Sequence, residues 1–266
     1  MISAAAHAKL NLALAVGPVR EDGLHEVATI LQRLEVSDTV SLEPAGELEV
    51  VGFPEDTLVR GALDAVAAEA GVEPRWRATI EKRIPVAGGL GGGSSDAAAA
   101  LQLACRLLDR PLPPERLRAI ARSLGADVPF FLERGPQLGL GDGAELEPVD
   151  LPQDYTVLLV LPAGASKAST ADVYRRFDGA DGFDERRARV TAVARAGGAA
   201  DLSVLPANDL ARSPLSERLR ELGAFRADVS GAGPTVYGLF RDASAAERAR
   251  DALEGSGETW ITAPAW

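Results

Sequence analysis

The strongest chemical pattern in the sequence is Pro-Val-Ala-Gly-Gly-Leu-Gly-Gly-Gly-Ser-Ser-Asp, at residues 85–96. Glycine has no Cβ atom, so a ligand can approach the backbone of such a segment closely. The pattern also predicts a helix that starts at residues 94–96, where unpaired N–H groups and the helix dipole favour an anion. We therefore expect a phosphate-binding loop. The residues expected to contact the phosphates are Pro85, Gly88, Gly89, Leu90, Gly91, Gly92, Gly93, Ser94 and Ser95.

Other interpretations of this glycine-rich segment are weaker. A flexible turn with a serine cap would not require five glycines in six positions. A Walker A loop would close on Gly-Lys-Ser or Gly-Lys-Thr, which is absent here. A dinucleotide-binding loop would follow the first strand and place an acidic residue about 20 positions later. Asp109 lies nearer than that, at the expected end of a helix.

A second candidate is Asp127, in the segment Gly-Ala-Asp-Val-Pro-Phe-Phe at residues 125–131. A carboxylate in an apolar segment is costly unless it has a partner. Because Pro129 disfavours helical backbone at the residue before it, we expect Asp127 to be held in an extended segment. The residue is either an Asx turn or helix cap, or a general base paired with a cation such as Lys9. The residues alone leave both interpretations open.

A third candidate is the segment Ser-Gly-Ala-Gly-Pro-Thr at residues 230–235, which lies between two predicted strands. Two glycines between strands are typical of a plain hairpin, which is the interpretation we favour for this segment alone. The alternative is a second loop that closes over a ligand.

The strand that begins the chain carries one of its few lysines. Residues 7–14 alternate between apolar and polar, which places Lys9 and Asn11 on one face and a row of leucines on the other. Only three of the 28 basic residues are lysine, namely Lys9, Lys82 and Lys167. A chain so rich in arginine keeps lysine where a compact ammonium group is needed, which directs attention to Lys9.

The elements that must position these residues follow from periodicity and from helix start and stop signals. Helices are predicted at 58–70, from Ser94, at 114–124, 185–197 and 214–222, and from a capping box at Ser244 and Glu247. Strands are predicted near residues 28–35, 38–43, 47–52, 76–81, 155–161, 226–230 and 234–240. The pattern resets near residue 150, so we expect α+β domains at 1–150 and 151–266.

Composition excludes several classes of function. The net charge of -11 disfavours binding to nucleic acid or to an anionic membrane. The single cysteine, Cys105, allows no disulfide within the chain and is expected to pack as a small core residue. The apolar N-terminus lacks the basic region of a signal peptide, and no apolar run is long enough to span a bilayer. We expect a cytoplasmic protein.

Taken together, these segments resemble the GHMP kinase superfamily. The resemblance rests on Ala-Lys-x-Asn-Leu at residue 8, the glycine-rich loop, Gly-Ala-Asp-Val-Pro-Phe-Phe and Ser-Gly-x-Gly-Pro-Thr-Val, in this order. The triple glycine with Ser-Ser-Asp-Ala-Ala is similar to the diphosphocytidyl-methylerythritol kinase branch. The resemblance implies an N-terminal α/β domain and a C-terminal ferredoxin-like domain with the site between them.

The resemblance also implies roles for individual residues. The donor is ATP with Mg²⁺, and no residue is assigned as a metal ligand. Asp127 is the base that takes the proton from the substrate 2-hydroxyl, and Lys9 is its partner. Asn11 lines the same pocket, and His25 bonds the cytosine ring of 4-diphosphocytidyl-2-C-methyl-D-erythritol. The 230–235 loop contributes substrate contacts through Gly231 and Ala232.

Two positions depart from the pattern of the family. The family reads Asp-Gly-Tyr-His-Glu where this chain has Leu24, which offers no aromatic face to cytosine. Tyr174 matches the second aromatic residue of the family and is expected to stack on the base alone. Thr57 stands where the family often has asparagine beside adenine, so only backbone contacts are expected there.

Two other functions compete with this prediction. One is a GHMP kinase for another small alcohol, such as homoserine or a mevalonate-type substrate, which Leu24 favours and His25 opposes. The other is a nucleotide-binding regulator without catalysis, which the presence of both Lys9 and Asp127 opposes. We expect a monomer or a weak homodimer.

Overall fold

The computed structural model describes residues 1–53, 57–86, 88–165 and 169–265, so Ala87 and Lys167 lie outside the described residues. The chain forms two compact units. Unit 1 contains Met1–Ala8, Val36–Pro85 and Gly91–Arg134, and unit 2 contains Lys9–Glu35, Val86–Leu90 and Gly135–Trp266. The domain boundary near residue 150 stays a prediction.

The described residues contain ten strands and seven α-helices. The strands are β1 Ile2–Val19, β2 His25–Pro44, β3 Glu49–Val51, β4 Trp76–Glu81, β5 Gln137–Leu140, β6 Glu145–Pro148, β7 Thr156–Pro162, β8 Arg226–Val229, β9 Val236–Phe240 and β10 Gly257–Thr262. The helices are α1 Leu58–Ala70, α2 Gly92–Leu107, α3 Pro114–Leu124, α4 Thr170–Arg175, α5 Phe183–Arg195, α6 Pro214–Glu221 and α7 Ala243–Asp251. Short 3₁₀ turns cover Pro129–Leu132, Gly197–Ala199 and Leu202–Val204.

Unit 1 packs helices α1, α2 and α3 together beside a short sheet. Residues 39–44 of β2 pair antiparallel with β4, and β3 pairs parallel with β4. Helix α1 matches its predicted bounds and ends at Gly71, whose φ of 68° suits glycine and lets its N–H reach the carbonyl of Ala67. Helix α2 buries a run of alanines, and such small side chains allow α1 and α2 to pack closely.

Unit 2 contains a four-stranded antiparallel sheet in the order β10-β7-β9-β8. Helices α6 and α7 cover it, and Leu158, Val160, Leu219 and Phe240 form part of the shared core. The middle of β7 is buried on both faces, which explains its continuous apolar run. Elsewhere in this unit, residues 29–31 of β2 pair with β5, and β5 pairs with β6.

Several local predictions need correction. Helix α7 begins at Ala243 and is capped by Asp242, whose carboxylate accepts from the N–H of Ala245 at 2.8 Å, so the predicted Ser244 capping box is wrong. Helix α2 begins at Gly92, two residues earlier than predicted, and its N-cap residue Gly91 has a φ of 72°, which suits glycine. Strands β5, β6 and β10 and helix α4 were not predicted at all.

The backbone around Asp127 also differs from its prediction. Val128 has helical angles, φ −62° and ψ −42°, and Pro129 begins a 3₁₀ turn. Proline suits the first position of a helical turn because that position needs no N–H donor. Asp127 therefore lies in a tight turn and not in an extended segment.

Cys105 is buried in α2, and its Sγ accepts from the Leu112 N–H at 3.2 Å, as expected for a core residue. Among the described residues, no helix is both long enough and apolar enough to cross a lipid bilayer.

Candidate active site

The glycine-rich segment divides between the two units after Leu90. In unit 2, the Gly88 carbonyl accepts from the Thr235 N–H at 3.2 Å, and the Leu90 carbonyl accepts from the Lys9 N–H at 2.9 Å. The Leu90 side chain is fully buried. Residues 88–90 are therefore held by the hairpin after β8 and by strand β1.

In unit 1, the following residues form the start of helix α2. Gly91 is the N-cap residue with φ 72°, and its carbonyl accepts from the Ser95 N–H at 2.9 Å. Ser94 is half-buried and Ser95 is buried within the first turn. A 16-residue helix thus begins within the glycine run, and its first N–H groups can bind an anion.

Packing inside the protein explains one of the loop glycines, Gly89, and restricts the space at a second, Gly92. A Cβ atom on Gly89 would lie 2.7 Å from the carbonyl oxygens of Ser230 and Gly233. A Cβ atom on Gly92 would lie 3.3 Å from the Lys82 ammonium and 3.5 Å from a carboxylate oxygen of Asp38. The expectation that every glycine makes room for phosphate is therefore too simple.

Lys9 and Asn11 contact each other on the same face of β1, as predicted. The Lys9 ammonium donates to the Asn11 amide oxygen at 2.6 Å, and both residues are buried. The Asn11 amide nitrogen donates to the Thr29 hydroxyl at 2.9 Å, while that hydroxyl donates to the Ala13 carbonyl at 2.7 Å. This chain of hydrogen bonds fixes the Asn11 amide with its oxygen toward Lys9.

The segment at residues 230–235 is both a hairpin and a neighbour of Lys9. Ser230 donates its N–H to the Thr235 carbonyl at 2.9 Å, which closes the turn between β8 and β9. A Cβ atom on Gly231 would lie 3.0 Å from the Asn11 amide oxygen and 3.5 Å from the Lys9 ammonium. The backbone of Gly231 therefore lies directly against the Lys9–Asn11 pair, with half-buried Ala232 next along the turn.

Asn208 and Ser230 belong to this site; the sequence analysis missed Asn208 and named Ser230 only as part of its loop. The Asn208 amide donates to the carbonyls of Val229 and Gly231, at 2.8 and 2.7 Å. The Ser230 hydroxyl donates to the Gly89 carbonyl at 3.2 Å and accepts weakly from the Asn11 N–H at 3.4 Å. Ser230 precedes Gly231, which was predicted to contact the substrate. No local sequence pattern pointed to Asn208.

His25 lies among aromatic rings in unit 2. Its Nδ1 is 2.8 Å from the Gly17 carbonyl oxygen, and its ring centroid lies 5.9 Å from Tyr174 and 5.7 Å from Phe177. Leu24 is 50% exposed, so its side chain is at the surface. The sequence analysis missed Phe177, which lies two residues beyond the end of α4 and donates its N–H to the Tyr174 carbonyl at 3.0 Å.

The two remaining predicted residues lie in unit 1. Asp127 is half-buried in the turn between α3 and the 3₁₀ turn at Pro129. Thr57 is the N-cap residue of α1, and its carbonyl accepts from the Gly61 N–H at 3.0 Å. Since Asp127 and Lys9 belong to different units, their pairing stays a prediction. Within the described ranges, no three His, Cys, Asp or Glu side chains are grouped to hold a metal ion.

Comparison with known proteins places these features in a family. Residues 57–135 match the profile of the GHMP kinases N terminal domain, and residues 214–259 match that of the GHMP kinases C terminal domain. A 4-diphosphocytidyl-2-C-methyl-D-erythritol kinase of Rhodococcus jostii strain RHA1 is 40% identical, over 95% of this chain and 88% of the relative. The chain belongs to the GHMP kinase family.

Solved structures agree with this assignment. A crystal structure of 4-(cytidine 5'-diphospho)-2C-methyl-D-erythritol kinase superposes on the GHMP kinase described here with a TM-score of 0.82 and 31% identity, and all of both chains is covered. A mevalonate kinase structure gives a TM-score of 0.74 at 13% identity, over 99% of both chains, which shows likeness of fold alone. The predicted two-domain α+β GHMP fold is confirmed.

Membership of the family decides the general chemistry. GHMP kinases use ATP, so this kinase is an ATP-dependent phosphotransferase that acts on a small molecule. The predicted kinase activity is thereby confirmed.

Proposed function

We propose that this kinase transfers the γ-phosphoryl group of ATP to the 2-hydroxyl of 4-diphosphocytidyl-2-C-methyl-D-erythritol, a step toward isoprenoid precursors. The relatives that match nearly the whole chain carry that substrate in their names. The observation in this chain that carries the proposal is His25, whose ring is fixed by the Gly17 carbonyl beside Tyr174 and Phe177.

The fixed His25 ring favours cytosine over uracil. A carbonyl oxygen can only accept a hydrogen bond, so Nδ1 of His25 carries the proton that it donates to Gly17. When the ring carries only that proton, Nε2 is an acceptor. Cytosine presents an amino group that donates, whereas uracil presents a carbonyl oxygen at the same position. The ring can therefore receive a hydrogen bond from cytosine and would repel uracil.

Phosphoryl transfer needs positioning and charge neutralisation more than covalent help from the protein. We assign Asp127 as the base that accepts the proton of the substrate hydroxyl and Lys9 as its partner. Asn11, Gly231 and Ala232 would line the acceptor site, where the hydrogen bond from Lys9 already orients the Asn11 amide.

The nucleotide is assigned to the glycine-rich loop and the start of α2. Backbone N–H groups within Gly91–Ser95 should lie within hydrogen-bond distance of the β-phosphate, with Pro85 and Thr57 at the edge of the site. The fit rests on the positive φ of Gly91 and the serine-rich first turn. Bound Mg²⁺ would neutralise phosphate charge, and the hydroxyl of Ser94 or Ser95 supplies the kind of oxygen ligand that it prefers.

The remaining parts of the proposal concern binding partners, location, oligomeric state and domain bounds. The net charge of -11 supports a small-molecule substrate and no nucleic-acid partner. We propose a cytoplasmic enzyme that is a monomer or a weak homodimer, with its domains at 1–150 and 151–266.

A coupled assay of ADP release tests this function. We expect turnover with the cytidine substrate and much less with its uridine analogue, homoserine or mevalonate. The Asp127→Asn variant, purified in the same way, controls for contaminating ATPase. Equal turnover with the uridine analogue would contradict the role of His25, and faster turnover with homoserine or mevalonate would contradict the substrate.

A further inference from the structure

Beneath the start of α2, Lys82 lies between two aspartates. Its ammonium donates to Asp38 at 2.5 Å and to Asp96 at 2.7 Å. Both carboxylates are fully buried, and the Lys82 side chain is 16% exposed, with its ammonium 5.7 Å from the Phe53 ring centroid. We call Lys82, Asp38 and Asp96 the ion cluster.

The ion cluster joins three separate parts of unit 1. Asp38 lies on β2, Lys82 follows the end of β4, and Asp96 lies in the second turn of α2, one residue after Ser95. The second oxygen of Asp38 accepts the N–H groups of Arg83 and Ile84, at 2.5 and 2.8 Å. The cluster thus holds the backbone that enters the glycine-rich loop and also the helix that leaves it.

The two aspartates favour the charged form of Lys82. Burial alone favours the neutral amine of Lys82, but hydrogen bonds to Asp38 and Asp96 together outweigh burial and raise the pKa of Lys82 above its ordinary value. Removing one member of a buried ionic group leaves an uncompensated charge, which is far more disruptive than the loss of a surface pair.

The first turn of α2 lies directly on the cluster. A Cβ atom on Gly92 would be 3.3 Å from both the Lys82 ammonium and a methyl carbon of Ile84. A side chain at Gly92, the residue after the N-cap of α2, would therefore press on the Lys82 ammonium. The first turn of α2 therefore packs close to the ion cluster at Gly92.

We infer that Lys82 is a positioning residue for nucleotide binding, which acts by tying the first turns of α2 to β2 and β4 through Asp96 and Asp38. The inference rests on the use of ATP by the family and not on the identity of the alcohol. A displaced first turn would misdirect the N–H groups expected to bind phosphate, and small displacements of positioning groups are costly.

Binding of a non-hydrolysable ATP analogue to the full chain, measured by calorimetry, tests the inference. We expect Lys82→Met and Asp96→Ala each to raise the dissociation constant about tenfold or more, because each removes the tie to α2. Asp96→Asn keeps an oxygen that accepts from Lys82, so its dissociation constant should stay within about threefold of the wild-type value. An Asn variant as weak as the Ala variant would overturn the inference.

A charge-matched variant separates positioning from electrostatics. The ion cluster has one cation and two anions, and the double variant Lys82→Met/Asp96→Asn retains the same net charge of about −1. The double variant leaves only the Asp38 carboxylate, which still accepts the N–H groups of Arg83 and Ile84. Because it buries one carboxylate without the lysine and not two, it is expected to fold even if Lys82→Met does not. We expect nucleotide binding as weak as in Asp96→Ala. Wild-type affinity in the folded double variant would overturn the inference.

The KM for the alcohol distinguishes a positioning role of Lys82 from a role in overall stability alone. The KM for the alcohol, measured at saturating ATP, should stay unchanged in each variant while the nucleotide dissociation constant rises. A parallel rise in both constants that follows the loss of thermal stability would reduce the ion cluster to a structural role and overturn the inference. If the ADP assay shows no turnover with the cytidine substrate, the proposed function is wrong. The nucleotide-binding measurements still test the role of Lys82 in that case.

Discussion

Lys9 and Lys82 are both largely buried, and they hydrogen-bond to chemically different partners. Lys82 lies between the carboxylates of Asp38 and Asp96, whereas Lys9 donates to the neutral amide of Asn11. Glycine adjoins both ammonium groups, Gly92 at Lys82 and Gly231 at Lys9. The same residue type therefore bonds to two carboxylates in unit 1 and to a side-chain amide in unit 2.

The difference between the two environments indicates what each lysine does. Two buried aspartates neutralise Lys82 and hold it between three elements, so its charge serves the architecture of unit 1. The Lys9 ammonium donates to the Asn11 amide, which Thr29 and Ala13 in turn orient. We therefore expect loss of Lys9 to affect chemistry and loss of Lys82 to affect nucleotide binding.

The largest expected effect comes from removing the proposed base. Asp127→Asn should lower turnover by about 10² or more, the usual scale for a lost general base, while the nucleotide dissociation constant stays near its wild-type value. The exposed Asp109 in the same unit provides the matched control, Asp109→Asn, which should retain turnover. Near-normal turnover in Asp127→Asn would mean that the Asp127 carboxylate has a structural role and is not the base.

The next variant tests the comparison of the two lysines directly. Lys9→Met should lower kcat by about 10², as expected for loss of a charged group that acts near the reacting oxygens, and should change the nucleotide dissociation constant little. Lys82→Met should show the reverse pattern. If both variants change the same constant by the same factor, the distinction between the two environments has no functional meaning.

A smaller effect is expected at the aromatic rings of unit 2. Base–aromatic stacking is worth about 1–3 kcal/mol, so Tyr174→Ala should raise the KM for the cytidine substrate roughly tenfold to over a hundredfold. Leu24→Tyr should leave the KM unchanged or lower it, because it restores the ring that the family carries there. If Leu24→Tyr loses activity while Tyr174→Ala leaves the KM unchanged, the pocket does not bind cytosine.

The smallest expected effect concerns the support behind Asn11. The buried hydroxyl of Tyr237 donates to the Leu12 carbonyl at 2.9 Å and accepts from Arg226 at 3.2 Å. Tyr237→Phe should reduce the free energy of unfolding by about 1 kcal/mol at neutral pH, the net worth of a hydrogen bond, with little change in kcat. Chemical denaturation of both proteins measures this difference.

The same residue gives a pH dependence with a definite sign. Burial raises the pKa of Tyr237 to about 12, because the charged phenolate is disfavoured in the core. A group whose pKa is higher in the folded state stabilises that state below its ordinary pKa and loses the contribution as pH rises through the folded value. The wild-type free energy of unfolding should therefore fall more steeply than that of Tyr237→Phe between pH 10 and pH 12. Equal slopes would contradict this.

Much of the fold could be predicted from local patterns. Helix α1 and strand β4 have the predicted bounds, and Gly71 and Gly125 end helices as expected, because period and capping depend on residues a few positions apart. Short strands such as β5 and β6 were missed, since four residues carry too little periodicity to be distinguished from a loop.

The candidate site was predicted unevenly for the same physical reason. The alternation of β1 placed Lys9 beside Asn11 because neighbours two apart on a strand share a face. The tautomer of His25 depends on the carbonyl of Gly17, eight residues away on another strand. Its second ring neighbour, Phe177, comes from beyond α4, a helix too short to be predicted from its pattern.

The sequence by itself determined the order of the motifs, the helices and strands that carry them, and the family to which they belong. Only the tertiary structure decided which groups each motif contacts. Lys82 meets Asp38 across 44 residues, and Asn11 meets Ser230 across 219. Such contacts depend on how elements pack and not on any local period, so glycines of one loop lie beside an ion cluster at Gly92 and against a hairpin backbone at Gly89.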